Sequence, residues 1–186
     1  MGTSPPQPEP AGGRAAAPPI PIQLAHLPTL GGLAVPWITA TTPDGRHRLG
    51  AIDQVRSRQC LTHRLCQVCG KPHQGRIVFA MRERDLARMI SPEPGMDPVC
   101  AAYTSTACPM LAGTMSHHAS HASSMFAGIA ISGGDPVGLR PGRPAEPWHY
   151  LWASGYRPIT DPDTLMPAAL LIPEQILKVR PIGGPR

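Results

Sequence analysis

Arg64-Leu65-Cys66-Gln67-Val68-Cys69-Gly70-Lys71 is the stretch on which the reading of this chain turns. Two cysteines three apart on a tight turn can aim both sulfurs at one ion. A glycine after the second accepts the positive φ that swings backbone N–H groups toward the thiolates. The pattern has the form of a zinc knuckle. It supplies half of a tetrahedral site, so the other half must come from elsewhere. Cys100 is the first candidate. Asp97-Pro98-Val99-Cys100 reads as a helix start, with aspartate at the N-cap and proline at the first helical position. The partial positive charge of a helix N-terminus favours a thiolate there.

The fourth ligand has several candidates. Asp97-x2-Cys100 mirrors Cys66-x2-Cys69 on a single helical turn, and a carboxylate oxygen is a less common but competent zinc ligand. The same aspartate serves equally as a plain N-cap. A helix over 98–108, ended by Pro109, sets Cys108 about 12 Å along the axis from Cys100. Ligands of one zinc sit within about 4 Å of one another, so Cys108 joins only if that helix is broken. His63 and His73 flank the knuckle and complete the alternatives. The expected set is Cys66, Cys69, Asp97 and Cys100 around a structural Zn2+.

Composition says why a metal is wanted. The chain has 186 residues, among them 25 prolines and 19 glycines, with only 4% aromatics. Such a chain builds a small core with long loops and needs an extra staple. Its five cysteines, Cys60, Cys66, Cys69, Cys100 and Cys108, are odd in number. No basic segment followed by an apolar stretch opens the sequence. Together these favour reduced thiols or metal ligands in a cytoplasmic protein over a disulfide framework. The longest apolar runs, Phe126–Ile131 and Ala168–Ile172, are too short to span a bilayer.

The order of elements points to an α+β fold. Residues 1–36 hold nine prolines and read as a disordered Pro/Gly/Ala-rich tail. A single domain is expected over 37–182, with a zinc subdomain at about 55–112. Pro43-Asp44-Gly45-Arg46 marks a turn between strands at 37–42 and 47–52. Arg76–Met81 reads as a strand and Glu83–Ile90 as a short helix. Ser91-Pro92-Glu93-Pro94-Gly95 breaks the chain. A further helix is expected at 113–126 and loop at 133–147. Trp148, Tyr150 and Trp152 alternate along one face of a strand, and a last strand or short helix covers Ile176–Val179.

Cys-x2-Cys-Gly, a hairpin, and a helix whose first turn supplies the second ligand pair resemble a treble-clef zinc finger. Arg64–Gly70, then Asp97-Pro98-Val99-Cys100-Ala101 and Ala107-Cys108-Pro109-Met110-Leu111, also resemble small uncharacterised zinc-knuckle proteins of actinobacteria and their phages, over residues 55–112. In that group the position of Asp97 tends to be Cys or His, so aspartate is a departure. The resemblance implies a zinc-stabilised fold and carries no activity with it.

Net charge is +5, and residues 46–88 hold ten Lys/Arg against three Asp/Glu. Arg64, Lys71, Arg76, Arg82, Arg84 and Arg88 are therefore candidate phosphate contacts for a nucleic acid. The competing reading is that these cations offset an anionic zinc centre. Trp148, Tyr150 and Trp152 can stack bases, but in a chain so poor in aromatics they are expected in the core. Cys60 and His63 can be ligands of a second ion, and His117 and His121 stand at i and i+4 on one helical face. A metalloprotease needs Glu at position 118, where this chain has His. Deaminase, nucleophile-elbow, Walker and dinucleotide signatures are lacking. An HNH-type nuclease would have to use His73. The reading that follows is a zinc-binding, non-enzymatic module for nucleic acid or protein, with a zinc-dependent nuclease or hydrolase as the alternative.

Overall fold

The computed structural model describes residues 17–115 and 146–183. Among the described residues the architecture is mixed α+β, with three α-helices and several short antiparallel strands. Its centre is β5 (Ile77–Arg82), whose six residues are all buried. Only a strand covered on both faces reads as a continuous apolar run, and Ile77-Val78-Phe79-Ala80-Met81 is such a run. β5 pairs antiparallel with β7 (Trp148–Ala153), and β7 with β10 (Ile176–Pro181), giving the order β10-β7-β5. The free edge of β5 is closed by Met96, which exchanges two 2.8 Å backbone hydrogen bonds with Val78.

The two faces of this sheet carry two cores. On one, Val78, Ala80 and Tyr150 pack with Met96, Cys100, Ala101 and Tyr103. Cys100, Ala101 and Tyr103 belong to α3 (Pro98–Ala107), and the Tyr150 hydroxyl donates to the Ala101 carbonyl at 2.7 Å. On the other face, Ile77, Phe79, Met81 and Leu151 pack with Leu61, Tyr156 and Leu171. Phe79 meets Tyr156 edge to face, with ring centroids 5.4 Å apart. The Tyr156 hydroxyl donates to the Leu61 carbonyl at 2.9 Å. Trp148 and Trp152 lie partly buried against the first core. The alternating aromatic face therefore packs inward, as its scarcity suggested.

β3 (Thr39–Thr41) and β4 (His47–Ile52) form the hairpin expected around Pro43–Arg46. α2 (Glu83–Arg88) follows β5 directly. A second small sheet has the order β6-β9-β8, with β6 at Ile90–Ser91, β8 at Arg157–Thr160 and β9 at Pro167–Leu170. α1 (Gln54–His63) gives no periodic signal in the sequence, because only Ser57, Cys60 and Leu61 of its ten residues are buried, too few to set a helical period. The available signal is the N-cap: the Asp53 carboxylate accepts from the N–H groups of Val55 and Arg56 at 2.9 and 3.1 Å.

The disordered tail over 1–36 requires correction in its second half. Residues 17–36 are folded. A 3-10 turn at Ile22–Leu24 buries Leu24 completely, and β1 (Thr29–Leu30) pairs with β2 (Leu33–Ala34). The Ala34 N–H donates to the Tyr103 hydroxyl at 2.8 Å. Pro18, Pro19, Pro21 and Pro28 cost little here, since an irregular or extended segment asks for few backbone donors. A few anchoring side chains then suffice to hold it. Residues 1–16 lie outside the described residues, as does nearly all of the expected helix at 113–126, with His117 and His121, and of the loop at 133–147. Among the described residues, no helix is long and apolar enough to cross a membrane.

Candidate metal centre

The knuckle is built by its own backbone. The Cys66 N–H donates to the Lys71 carbonyl and the Gly70 N–H to the Cys66 carbonyl, both at 2.8 Å. Gly70 has φ +72°, and a Cβ there would lie 2.7 Å from the Trp37 ring. Glycine is thus required twice, for the left-handed turn and for the close approach of Trp37. The segment preceding β3 clamps the turn from outside: Trp37 and Ile38 N–H groups donate to the Val68 and Gln67 carbonyls at 2.9 and 3.1 Å. From the far side the Gln67 N–H reaches the Gly95 carbonyl at 3.0 Å. That bond ties the knuckle to the turn leading into α3.

These clamps bring two distant stretches together. Cys66, Cys69, Asp97 and Cys100 each place one donor atom within 4.8 Å of all the others, the one such group among the described residues. The three cysteines are buried, and the Asp97 side chain is 29% exposed, so the carboxylate forms the outward corner. Asp97 occupies the N-cap position of α3 but makes no side-chain capping bond. The plain N-cap alternative is thereby corrected. The carboxylate turns to the cluster instead, with Oδ2 3.6 Å from Cys69 Sγ and Oδ1 2.7 Å from His73 Nδ1.

The other proposed fourth ligands stand apart from this group. Cys108 is at the C-cap of an unbroken α3. His63 closes α1 and is exposed. His73 touches Asp97 but contributes no atom to the four. Cys60 lies close enough to feel the charge of Cys66 and Cys69, and burial above all pushes its thiol up to about 12. It remains a packed thiol outside the donor set.

The thiols perturb one another strongly. Hydrogen bonds from Cys100 and Cys66, reinforced by the Lys71 backbone N–H, pull Cys69 down to about 2. Cys66 is lowered by its bond to Cys100 but raised more by Cys69 and by burial, and it ends at about 11. Cys100, donating to both neighbours and buried, is held far above the ordinary thiol range. Without a cation, Cys69 is the thiol that gives up its proton most readily, and Cys66 and Cys100 hold theirs. Three sulfurs and a carboxylate oxygen converging in a mostly buried space are chemically suited to a divalent cation.

The basic segment is spent largely on the protein itself. Arg82 is buried and donates from Nε and Nη2 to the Asp85 carboxylate at 2.5 and 2.9 Å, with its guanidinium over the Trp148 ring. Arg82 is therefore corrected from phosphate contact to interior ion pair. Arg88 pairs with Asp161 and with Asp163, and Arg84 Nε lies 3.6 Å from Glu146. Arg64 donates to the Tyr156 carbonyl at 3.1 Å and packs over that ring. Of the six cations, Lys71 and Arg76 are exposed and show no such pairing among the described residues. Spacing alone does not reveal these partners, because Asp161 lies 73 residues from Arg88 and Tyr156 lies 92 from Arg64.

Fold and cluster define a small α+β protein with a three-cysteine, one-aspartate site able to hold a metal ion. No protein-family model, curated protein or solved structure matches the chain.

Proposed function

We propose that this protein is a zinc-stapled, non-enzymatic binding module whose partner is another protein. The observation that carries the reading is the convergence of Cys66, Cys69, Asp97 and Cys100 from the knuckle and the first turn of α3. Thiolate-rich tetrahedral sites suit zinc, and sites with four protein ligands are structural. The location supports that role, since the ion would join the N-terminal clamp, the knuckle and α3 beside the main core. In small fingers structural zinc supplies on the order of 10 kcal/mol of folding free energy. The knuckle and the helix carrying Asp97 and Cys100 support a treble-clef-like reading. The intervening hairpin does not, because β5 pairs with β7 from beyond the helix.

A protein partner is favoured over nucleic acid because Arg64, Arg82, Arg84 and Arg88 already have partners inside the fold. The nuclease alternative is disfavoured because His73, its only candidate base, has a side chain 3% exposed and engaged with Asp97. Elemental analysis of purified full-length protein tests the metal and is expected to give about one zinc per chain. Retention on heparin and duplex DNA across a salt series tests the partner class. Steeply salt-dependent retention lost in Arg76→Glu would replace the protein-binding reading with a nucleic-acid one. Magnesium-dependent cleavage of DNA abolished in His73→Ala would replace it with the nuclease.

A further inference from the structure

We infer that His73 is a positioning residue of the metal centre, holding Asp97 so that it offers a single oxygen to the ion. The inference rests on the metal-site reading above. The two oxygens of Asp97 face different partners. Oδ2 is 3.6 Å from Cys69 Sγ. In a tetrahedral site with Zn–S near 2.3 Å and Zn–O near 2.0 Å, a sulfur and an oxygen are separated by about 3.5 Å. Oδ2 therefore stands at the distance from Cys69 that a shared ion requires. Oδ1 lies 2.7 Å from His73 Nδ1 and is taken up by that bond.

A carboxylate only accepts, so Nδ1 carries the proton and donates it. With Oδ1 held in that bond, the carboxylate is restrained from rotating to grip the ion with both oxygens. His73 Nε2 is buried and has no partner among the described residues. Packing therefore fixes the ring plane, and the Nδ1–H to Asp97 is the polar bond the ring makes. The opposite assignment, with His73 as ligand and Asp97 behind it, fits less well. Neither ring nitrogen belongs to the converging group of donor atoms, and Nδ1 cannot both donate to Oδ1 and bind a cation.

The test uses Co2+ loaded into the full-length chain. The sulfur-to-cobalt charge-transfer band reports the thiolates, the visible d–d bands report coordination number and geometry, and chelator competition gives affinity. His73→Phe keeps a buried ring and removes only the donor. It should leave the charge-transfer intensity unchanged, alter the d–d bands, and weaken cobalt binding by about 10- to 100-fold, the usual effect of losing an outer partner. His73→Asn, whose side-chain N–H can take the place of Nδ1–H, should restore both bands and affinity. Wild-type d–d bands with affinity within twofold in His73→Phe would overturn the inference. So would d–d bands that survive in Asp97→Ala but collapse in His73→Phe, since His73 would then be the ligand. Failure of the wild-type chain to bind cobalt at all would instead strike the metal-site reading itself.

Discussion

The backbone N–H of Asp97 donates to Cys66 Sγ at 3.3 Å, across 31 residues of chain. This bond joins the first half of the site to the second before any ion is considered. It aims the N-terminus of α3 at a sulfur that must carry negative charge when a metal is held. The bond depends on the turn Pro94-Gly95-Met96, where Gly95 fits against Ile77 so closely that an added Cβ would lie 2.2 Å from its Cγ2.

Removal of the metal should separate the three cluster cysteines from the other two. Cys66→Ser and Cys100→Ser are expected to lose zinc by elemental analysis and to lose cooperative thermal unfolding together. Cys108→Ser should keep about one zinc and unfold close to wild type, because Cys108 stands a full helix away from Cys100. Excess chelator should lower the wild-type melting temperature. A chelator-insensitive melt would contradict a structural ion.

Metal affinity should fall with acid. With Cys66 raised to about 11 and Cys100 raised further, both thiols are protonated in the metal-free protein at neutral pH. Cys69, lowered by hydrogen bonds from Cys100 and Cys66, gives up its proton most readily of the three. Binding must displace about two protons, so the apparent Kd should weaken on the order of 100-fold for each unit of pH lowered between 8 and 6. Competition titrations at several pH values read the slope directly. A flat profile would mean that the thiols are not the ligands.

Arg82 and Arg76 should behave oppositely although both belong to the basic segment. Arg82→Ala strands the Asp85 carboxylate, 8% exposed, without its bidentate partner, and should destabilise by about 3–5 kcal/mol in urea unfolding. Arg76→Ala, at an exposed position, should stay within about 0.5 kcal/mol of wild type.

Leu24 tests the folded N-terminal segment. Its side chain is fully buried in the core that also contains Cys66, Cys69 and Cys100. Leu24→Ala should cost about 2–5 kcal/mol and loosen zinc retention in chelator competition. A neutral substitution would return residues 17–36 to the status of a passive tail.

Local chemistry was legible in the sequence wherever it repeats at short range. The Cys66-x2-Cys69-Gly70 turn, the Asp97-Pro98 helix start, the apolar run of β5 and the Pro43–Arg46 hairpin each depend on residues a few positions apart. Their sterics and hydrogen bonding are therefore decided locally. Spacing also brought Asp97 into consideration as a ligand, but left it undecided between capping the helix and facing the cluster. The carboxylate bonds to His73, 24 residues away in the chain. Likewise Arg82, Arg84 and Arg88 read as one basic run until folding gives each its own acid. The folded state of residues 17–36 was hidden because prolines suppress every periodic signal, while burial of Leu24 and Ala34 depends on a surface made by the knuckle and α3. The linear chain thus determined which groups can bind a cation and which turns can present them. Tertiary structure alone decided which carboxylate oxygen lies against Cys69 and which cations remain exposed, because desolvation and pairing arise only when distant segments exclude water from one another.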